Sequence, residues 1–337
     1  MRRFFLIVLL SAFLFPVWGQ VGNSTFDYLL LPQSAHASAL GGTNISIIEN
    51  DASLIYNNPG LLGAEMDKTF NASYLSYIAD IGMGNVLFTK ALGDKGAWGI
   101  GAVYANYGNM LEVSEENTVM GDLTANDICG SLFIAHNLTD KWRGGISGKF
   151  FYSNYYHNTA IGLGVDLGLS YYNEDKGFSM GIVGKNIGRQ IKAYEEELAG
   201  LPWDIQFGIS KNLNHAPIRF SITGIYLKQW KFDDIYAGGD SFMKTAGKHL
   251  ILGIDFIPTD NFWVGLGYNI KRGADMHLED GNKFGGFSAG AGIRIKSFSV
   301  GCAIGKYNTA ATSFMVSIAT SFAEKSLSGN EKNNCCY

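Results

Sequence analysis

The chain has little charge, little cysteine and little proline. Only 17% of its 337 residues are charged, against roughly 25% in an average soluble domain. Of four cysteines, Cys129 and Cys302 stand singly in strand-like stretches and read as small apolar residues; Cys335 and Cys336 are adjacent near the end. That usage excludes a disulfide framework and zinc-ligand spacing. No basic stripe occurs, which argues against a nucleic-acid partner. Beyond Gln20 no run of about 18 uninterrupted apolar residues exists, so no transmembrane helix is expected. The six histidines are His36, His136, His157, His215, His249 and His277. No pair has metal-ligand spacing, and no Ser or Cys shares a strand face with a His and an acid, so neither catalysis nor a metal or cofactor is expected. The glycine runs GLGVDLG and GAGIRI lack the strand–turn–helix setting of a nucleotide loop.

Apolar, aromatic and glycine residues fill the space left. The chain is 47% apolar and 13% aromatic, with 43 glycines, nearly twice the usual share of about 7%. Residues 1–19 read as an export signal. Arg2 and Arg3 precede the apolar run Phe4–Leu14, and Val17 and Gly19 suit a cleavage site before Gln20. Its removal takes the net charge from −4 to −6.

From 67 to 322 the sequence predicts fourteen strands: 68–79, 82–92, 96–107, 124–137, 141–153, 159–172, 177–187, 202–213, 217–229, 248–257, 261–272, 285–296, 298–307 and 312–322. In 160–172, Ile161, Leu163, Val165, Leu167, Leu169 and Tyr171 share one face, and Gly162, Gly164, Asp166, Gly168 and Ser170 the other. One face is large and apolar; its opposite is small or polar. Linkers alternate between short turns such as GDKG, LTDK and PTDN and the longer stretches 108–123, 188–201, 230–247 and 273–284, although three of that second set are also short. This pattern predicts an all-β, 14-stranded antiparallel transmembrane β-barrel of the outer-membrane type, its apolar face in lipid beside lipopolysaccharide, its long loops at the cell surface and both chain ends in the periplasm. Tyr107, Trp142, Trp203, Trp230, Phe262 and Tyr307 near strand ends suit interfacial girdles. Pro202, Pro217 and Pro258 fall at strand ends. The polar residues 323–337 read as a disordered tail.

Residues 20–66 are too broken for a hairpin and are expected to fold into the lumen as a plug. Pro32, Gly41, Gly42, Asn57, Asn58 and Pro59 carry its turns. The inner strand faces carry Arg143, Lys149, Asp166, Lys185, Asp255, Lys271 and Arg294, for which mutual pairing inside a closed lumen is expected. Acidic outer loops hold Glu112, Glu115 and Glu116, then Glu195, Glu196 and Glu197, then Asp233 and Asp234. They form a candidate partner surface.

Leu31, Pro32, Ser34, Ala35, Ala39 to Ser46, Asn57 to Pro59, Leu61 and Leu62 together resemble the amino-terminal signature of the PorQ family, outer-membrane barrels of the type IX secretion system of Bacteroidetes. Pro59-Gly60-Leu61 is also similar to an element widespread in the FadL family of transporters. The PorQ resemblance implies a 14-stranded, plugged, FadL-type barrel. It also implies a non-enzymatic role: anchoring a PorZ-like surface protein, beside PorU- and PorV-like proteins, in the complex that processes cargo and attaches it to the surface. The alternative is a FadL-type transporter of hydrophobic small molecules. That role needs an apolar pocket beneath the loops, a break in the wall or plug, and large apolar residues facing the lumen, where the strand faces above show mostly glycine, serine and charge.

Overall fold

The computed structural model describes residues 26–113, 119–156, 158–194, 198–230, 242–276, 284–307 and 311–323. Fourteen antiparallel strands close into a barrel, each paired with its sequence neighbours and β1 with β14. They are β1 Thr69–Ser76, β2 Gly82–Leu92, β3 Gly96–Val113, β4 Val119–Asn137, β5 Trp142–Tyr155, β6 Asn158–Asn173, β7 Phe178–Lys192, β8 Asp204–Asn212, β9 Ile218–Gly224, β10 Leu250–Thr259, β11 Phe262–Asn269, β12 Phe287–Ile295, β13 Phe298–Gly305 and β14 Ser313–Ser321. The closing register runs from Thr69 opposite Ser321 to Ser76 opposite Phe314. Closure leaves no open sheet edge, the condition for a sheet that crosses hydrocarbon. Among the described residues no helix is long and apolar enough to cross a membrane.

Alternation sets the two faces. Outward-facing Ile100, Leu132, Ile134, Ile146, Phe150, Leu163, Leu266 and Ile304 are exposed, while their chain neighbours such as Ala97, Ser131, Phe133, Ser147 and Lys149 are buried. Such a continuous apolar belt exceeds any ordinary surface patch of a soluble protein and matches the lipid-facing band of a transmembrane barrel. The turns at one rim are short (93–95, 138–141, 174–177, 213–217, 260–261 and 296–297), and that rim also holds the start of β1 and the end of β14. The opposite rim carries the longer connections 193–203, 225–249, 270–286 and 306–312, together with the two-residue link 156–157.

All fourteen expected strands are present, with differences in extent, among them β7, which runs past 187 to Lys192. The stretch 108–123 is mostly ladder, because β3 and β4 continue pairing to Val113 and Val119 across a bulge at Gly108, where φ is +77°. β9 stops at Gly224. β11 ends at Asn269, whose side chain accepts from the Arg272 backbone N–H at 3.0 Å and caps a short helix, Ile270–Asp275. Lys271 therefore lies outside the inner wall, where it pairs with Asp275 at 2.6 Å.

Two girdle expectations also fail. Tyr307 is buried and meets Ser38 Oγ at 2.6 Å, and Tyr107 donates inward to Asp127 at 2.5 Å. Both hydroxyls find polar partners in the lumen. Trp230 and Phe262 are exposed, and Trp142 and Trp203 half-buried, near the rims. Pro258 sits where the β10–β11 register shifts, so no ladder donor is lost.

Candidate functional site: the lumen

Residues 26–66 lie inside the wall. They form a helix α1, Ala35–Ala39, and short 3-10 turns at Asp27–Leu30, Ala52–Tyr56, Pro59–Leu61 and Ala64–Met66. Their partners span the circumference. Asn85 on β2 donates to the Gln33 carbonyl at 3.0 Å, and Ser170 on β6 to the Gly60 carbonyl at 2.5 Å. Ser210 on β8 meets Ser46 Oγ at 2.7 Å, and the Ala35 N–H donates to Ser317 on β14 at 3.0 Å. Ser288 on β12 accepts from the Gly41 N–H and donates to the Ala39 carbonyl, both at 2.8 Å.

Sequence explains how the segment fits so closely. Gly41 and Gly42 take φ of +99° and +104°, which lets the chain turn away from α1. Asn58 accepts from the Gly60 N–H and donates to the Ile45 carbonyl, both at 2.9 Å, while Pro59 opens a 3-10 turn. Pro32 and Asn57 are buried within the same segment. Facing this turn, Gly145 of β5 has no room for a side chain: a Cβ there would stand 2.2 Å from the Pro59 carbonyl oxygen.

Near the short-turn rim a charged cluster ties the segment to the wall. The His36 ring bonds Glu49 through Nδ1 at 2.5 Å and Asp255 of β10 through Nε2 at 2.9 Å. Arg219 of β9 reaches Asp255 at 2.8 Å and Glu49 at 3.3 Å, and Trp263 of β11 stacks flat on His36 at 3.8 Å. Burial alone would lower the His36 pKa, but the Glu49 and Asp255 carboxylates outweigh it and hold it up at about 10. Burial would likewise raise Glu49, yet His36 and Arg219 hold it down at about 2. With a carboxylate oxygen against each ring nitrogen, the geometry suits an imidazolium that donates an N–H hydrogen bond to each. His36, Glu49 and Asp51 each place a ligand atom within 4.8 Å of the others, and the two His36 ring nitrogens are engaged by Glu49 and Asp255. A cavity of about 470 Å³ opens beside this cluster, with Asp51, Arg219, Trp263 and Arg294 on its walls.

The other expected inner charges are mostly paired. Arg143 meets Glu65 at 2.8 Å and Lys149 meets Asp166 at 2.6 Å. Arg294 donates to the Asn50 carbonyl at 2.5 Å. At a β6–β7 bulge Asn186, with φ +54°, accepts from Lys149 at 2.8 Å and gives its N–H to Asp166 at 2.7 Å. Lys185 is buried on the same bulge without an ion pair among the described residues.

The inner wall, expected to be mostly glycine, serine and charge, also carries large apolar side chains. Toward the long-loop rim, Leu75, Met83, Leu87, Val103, Phe151, Ala160 and Met315 point inward and form one buried cluster with Phe26, Tyr28 and Leu29 of the inner segment. The Phe26 and Phe151 rings stack at 5.4 Å. The mixture is physical, since each fully buried large apolar side chain contributes about 1.5–3 kcal/mol where no polar partner is at hand.

Of the acidic loop residues, Glu112 pairs through its backbone with Gly121. Glu115, Glu116, Glu195, Glu196, Glu197, Asp233 and Asp234 lie outside the described residues, as do the expected signal, Cys335, Cys336 and the tail from 324.

No family model and no curated protein matches the chain. Solved structures do. The toluene transporter TodX of Pseudomonas putida superposes with a TM-score of 0.57 at 13% identity, covering 87% of this chain and 99% of that one. The toluene transporter TbuX of Ralstonia pickettii gives 0.53 at 12%, covering 88% and 100%. A FadL homologue of Pseudomonas aeruginosa gives 0.51 at 12%, covering 87% and 99%. The fold is that of a FadL-like barrel.

Proposed function

We propose that this chain is an outer-membrane transporter of hydrophobic small molecules. The observation that carries this reading is the apolar inner face near the long-loop rim, formed by Leu87, Val103, Phe151 and Ala160 against Phe26 and Leu29. It supplies the apolar lumen lining that such a transporter needs, and the fold neighbours named for toluene transport support the same direction. Passage requires the inner segment to move, because residues 26–66 now fill the lumen. Uptake of a radiolabelled monoaromatic hydrocarbon by cells lacking the gene, with and without the gene restored, tests the reading. Unchanged uptake in the deletion strain would reject it.

A second reading keeps the type IX anchor. Its support is the amino-terminal resemblance together with the close filling of the lumen, seen where Gly145 meets Pro59. Under that reading the tagged protein carries a large PorZ-like surface protein through gentle detergent extraction, and its deletion releases unattached cargo. Normal cargo attachment in a strain with lost hydrocarbon uptake would end it.

A further inference from the structure

At the long-loop rim a separate cavity of about 340 Å³ is lined by Tyr226, Asn269, Lys271, Arg272, Asp275, Met276 and Tyr307. All but Met276 are polar, so it does not suit the apolar cargo proposed above. Lys271 is engaged with Asp275 at 2.6 Å. Arg272 is different. Among the described residues it has no carboxylate within ion-pair distance. Its guanidinium lies 4.1 Å from the Tyr307 ring centre and hydrogen-bonds to Tyr307, and among the described residues it also donates to the Gly41 carbonyl, at 3.3 Å. A guanidinium has five N–H donors in a fixed fork, so among the described residues donors remain for a further acceptor. Multiply oxygenated anions fill such a fork, and charge-assisted bonds to them are roughly twice as strong as a bond to a neutral carbonyl.

Gly41 is also where the inner segment turns away from α1. The Arg272 bond is thus a tie between the outer mouth and the segment that fills the lumen. We propose that this cavity binds a compact oxyanion of the phosphate or sulfate type arriving from the long-loop side, and that its binding draws Arg272 from the Gly41 carbonyl and loosens the segment there. The site lies within the mouth, with Tyr307 and Asn269 buried behind it, so the anion is taken as soluble rather than as part of a lipid.

The test is a calorimetric titration of the full protein in neutral detergent micelles with inorganic phosphate, and separately with sulfate. Saturable binding is expected, weakened roughly tenfold or more by Arg272→Gln, the loss of about one charge-assisted hydrogen bond. Arg272→Lys should restore part of it. Lys271→Gln, which leaves the Gly41 tie in place, should also weaken binding and serves if the Arg272 variants fail to fold. Hydrogen exchange over residues 38–44 should quicken on adding phosphate to the unaltered protein. No saturable binding, or binding equal in the Arg272→Gln and Lys271→Gln variants and the parent, would overturn the site. Binding without faster exchange would overturn the coupling. Loss of free phosphate binding in lipopolysaccharide-containing nanodiscs would reassign the pocket to a lipid phosphate and overturn the soluble anion. Hydrocarbon uptake is measured without added anion, so its failure leaves this result standing.

Discussion

Replacing Arg219 with methionine removes a guanidinium that holds the buried Asp255 carboxylate and the half-buried Glu49 carboxylate. Asp255 would keep only the His36 Nε2 bond at 2.9 Å, and Glu49 only the Nδ1 bond at 2.5 Å. Two anions would then share one cation in a site where His36 and Asp255 are almost wholly inaccessible. Breaking a buried pair by removing one partner costs about 3–5 kcal/mol, chiefly because a charge is left uncompensated. The methionine fills much of the arginine stem's volume, so packing loss adds little. The assay is urea unfolding in lipid vesicles, followed by the folded and unfolded bands in unheated gel electrophoresis. A double variant, Arg219→Met with Asp255→Asn, removes one charge of each sign and should recover at least half of the loss. If Arg219→Met cost under about 1 kcal/mol, the typical worth of an exposed pair, the cluster would not be the tie described.

Other perturbations follow from the same contacts. His36 has its pKa raised from 6.5 to about 10, so its contribution is full below about pH 6.5 and is lost as pH rises through 10; urea stability should fall over that window, and His36→Asn should flatten the fall. Glu49 is held at about 2, so its contribution is present above about pH 4.5 and disappears as pH falls toward 2, read as a falling urea midpoint that Glu49→Gln abolishes. Gly145→Val puts a side chain where the Pro59 carbonyl stands; the inner segment should be displaced and become open to protease, while the barrel still forms. A nitroxide at Phe70 should report oxygen-rich lipid and one at Asn71, which lines the cavity beside the His36 cluster, should not, because the two point to opposite faces; equal accessibility would refute the assigned faces.

Period-two alternation made the barrel legible. Leu163, Val165 and Leu167 face out in the structure and Gly162, Gly164 and Asp166 face in, as the spacing predicts. Linker lengths likewise anticipate the two rims. The helix at Ile270–Asp275 hides behind apparent alternation through Ile270; Asn269 as its cap is the available signal. Apolar lumen residues are visible only as breaks in the rule. Val86-Leu87-Phe88 and Phe150-Phe151 place large apolar residues on both faces at once, which a wall with a uniformly small inner face would not do. Of the His36 cluster only Asp255 is legible, as an inner-face charge that needs a partner. The His36 partners Arg219 and Asp255 lie 183 and 219 positions away, and only barrel closure around the inner segment brings them together. Arg219 on β9 alternates with Phe220 and reads as an ordinary strand residue until that closure is known.

The most direct test of the account is uptake of a labelled monoaromatic hydrocarbon by cells carrying the unaltered protein or Phe151→Asp, with folded protein matched between the two by unheated gel. The aspartate places an unpaired charge against Phe26 in the apolar lumen while leaving the lipid face untouched. The account predicts uptake by the unaltered protein and its loss in the variant; equal uptake by both, at equal folded amounts, would contradict it.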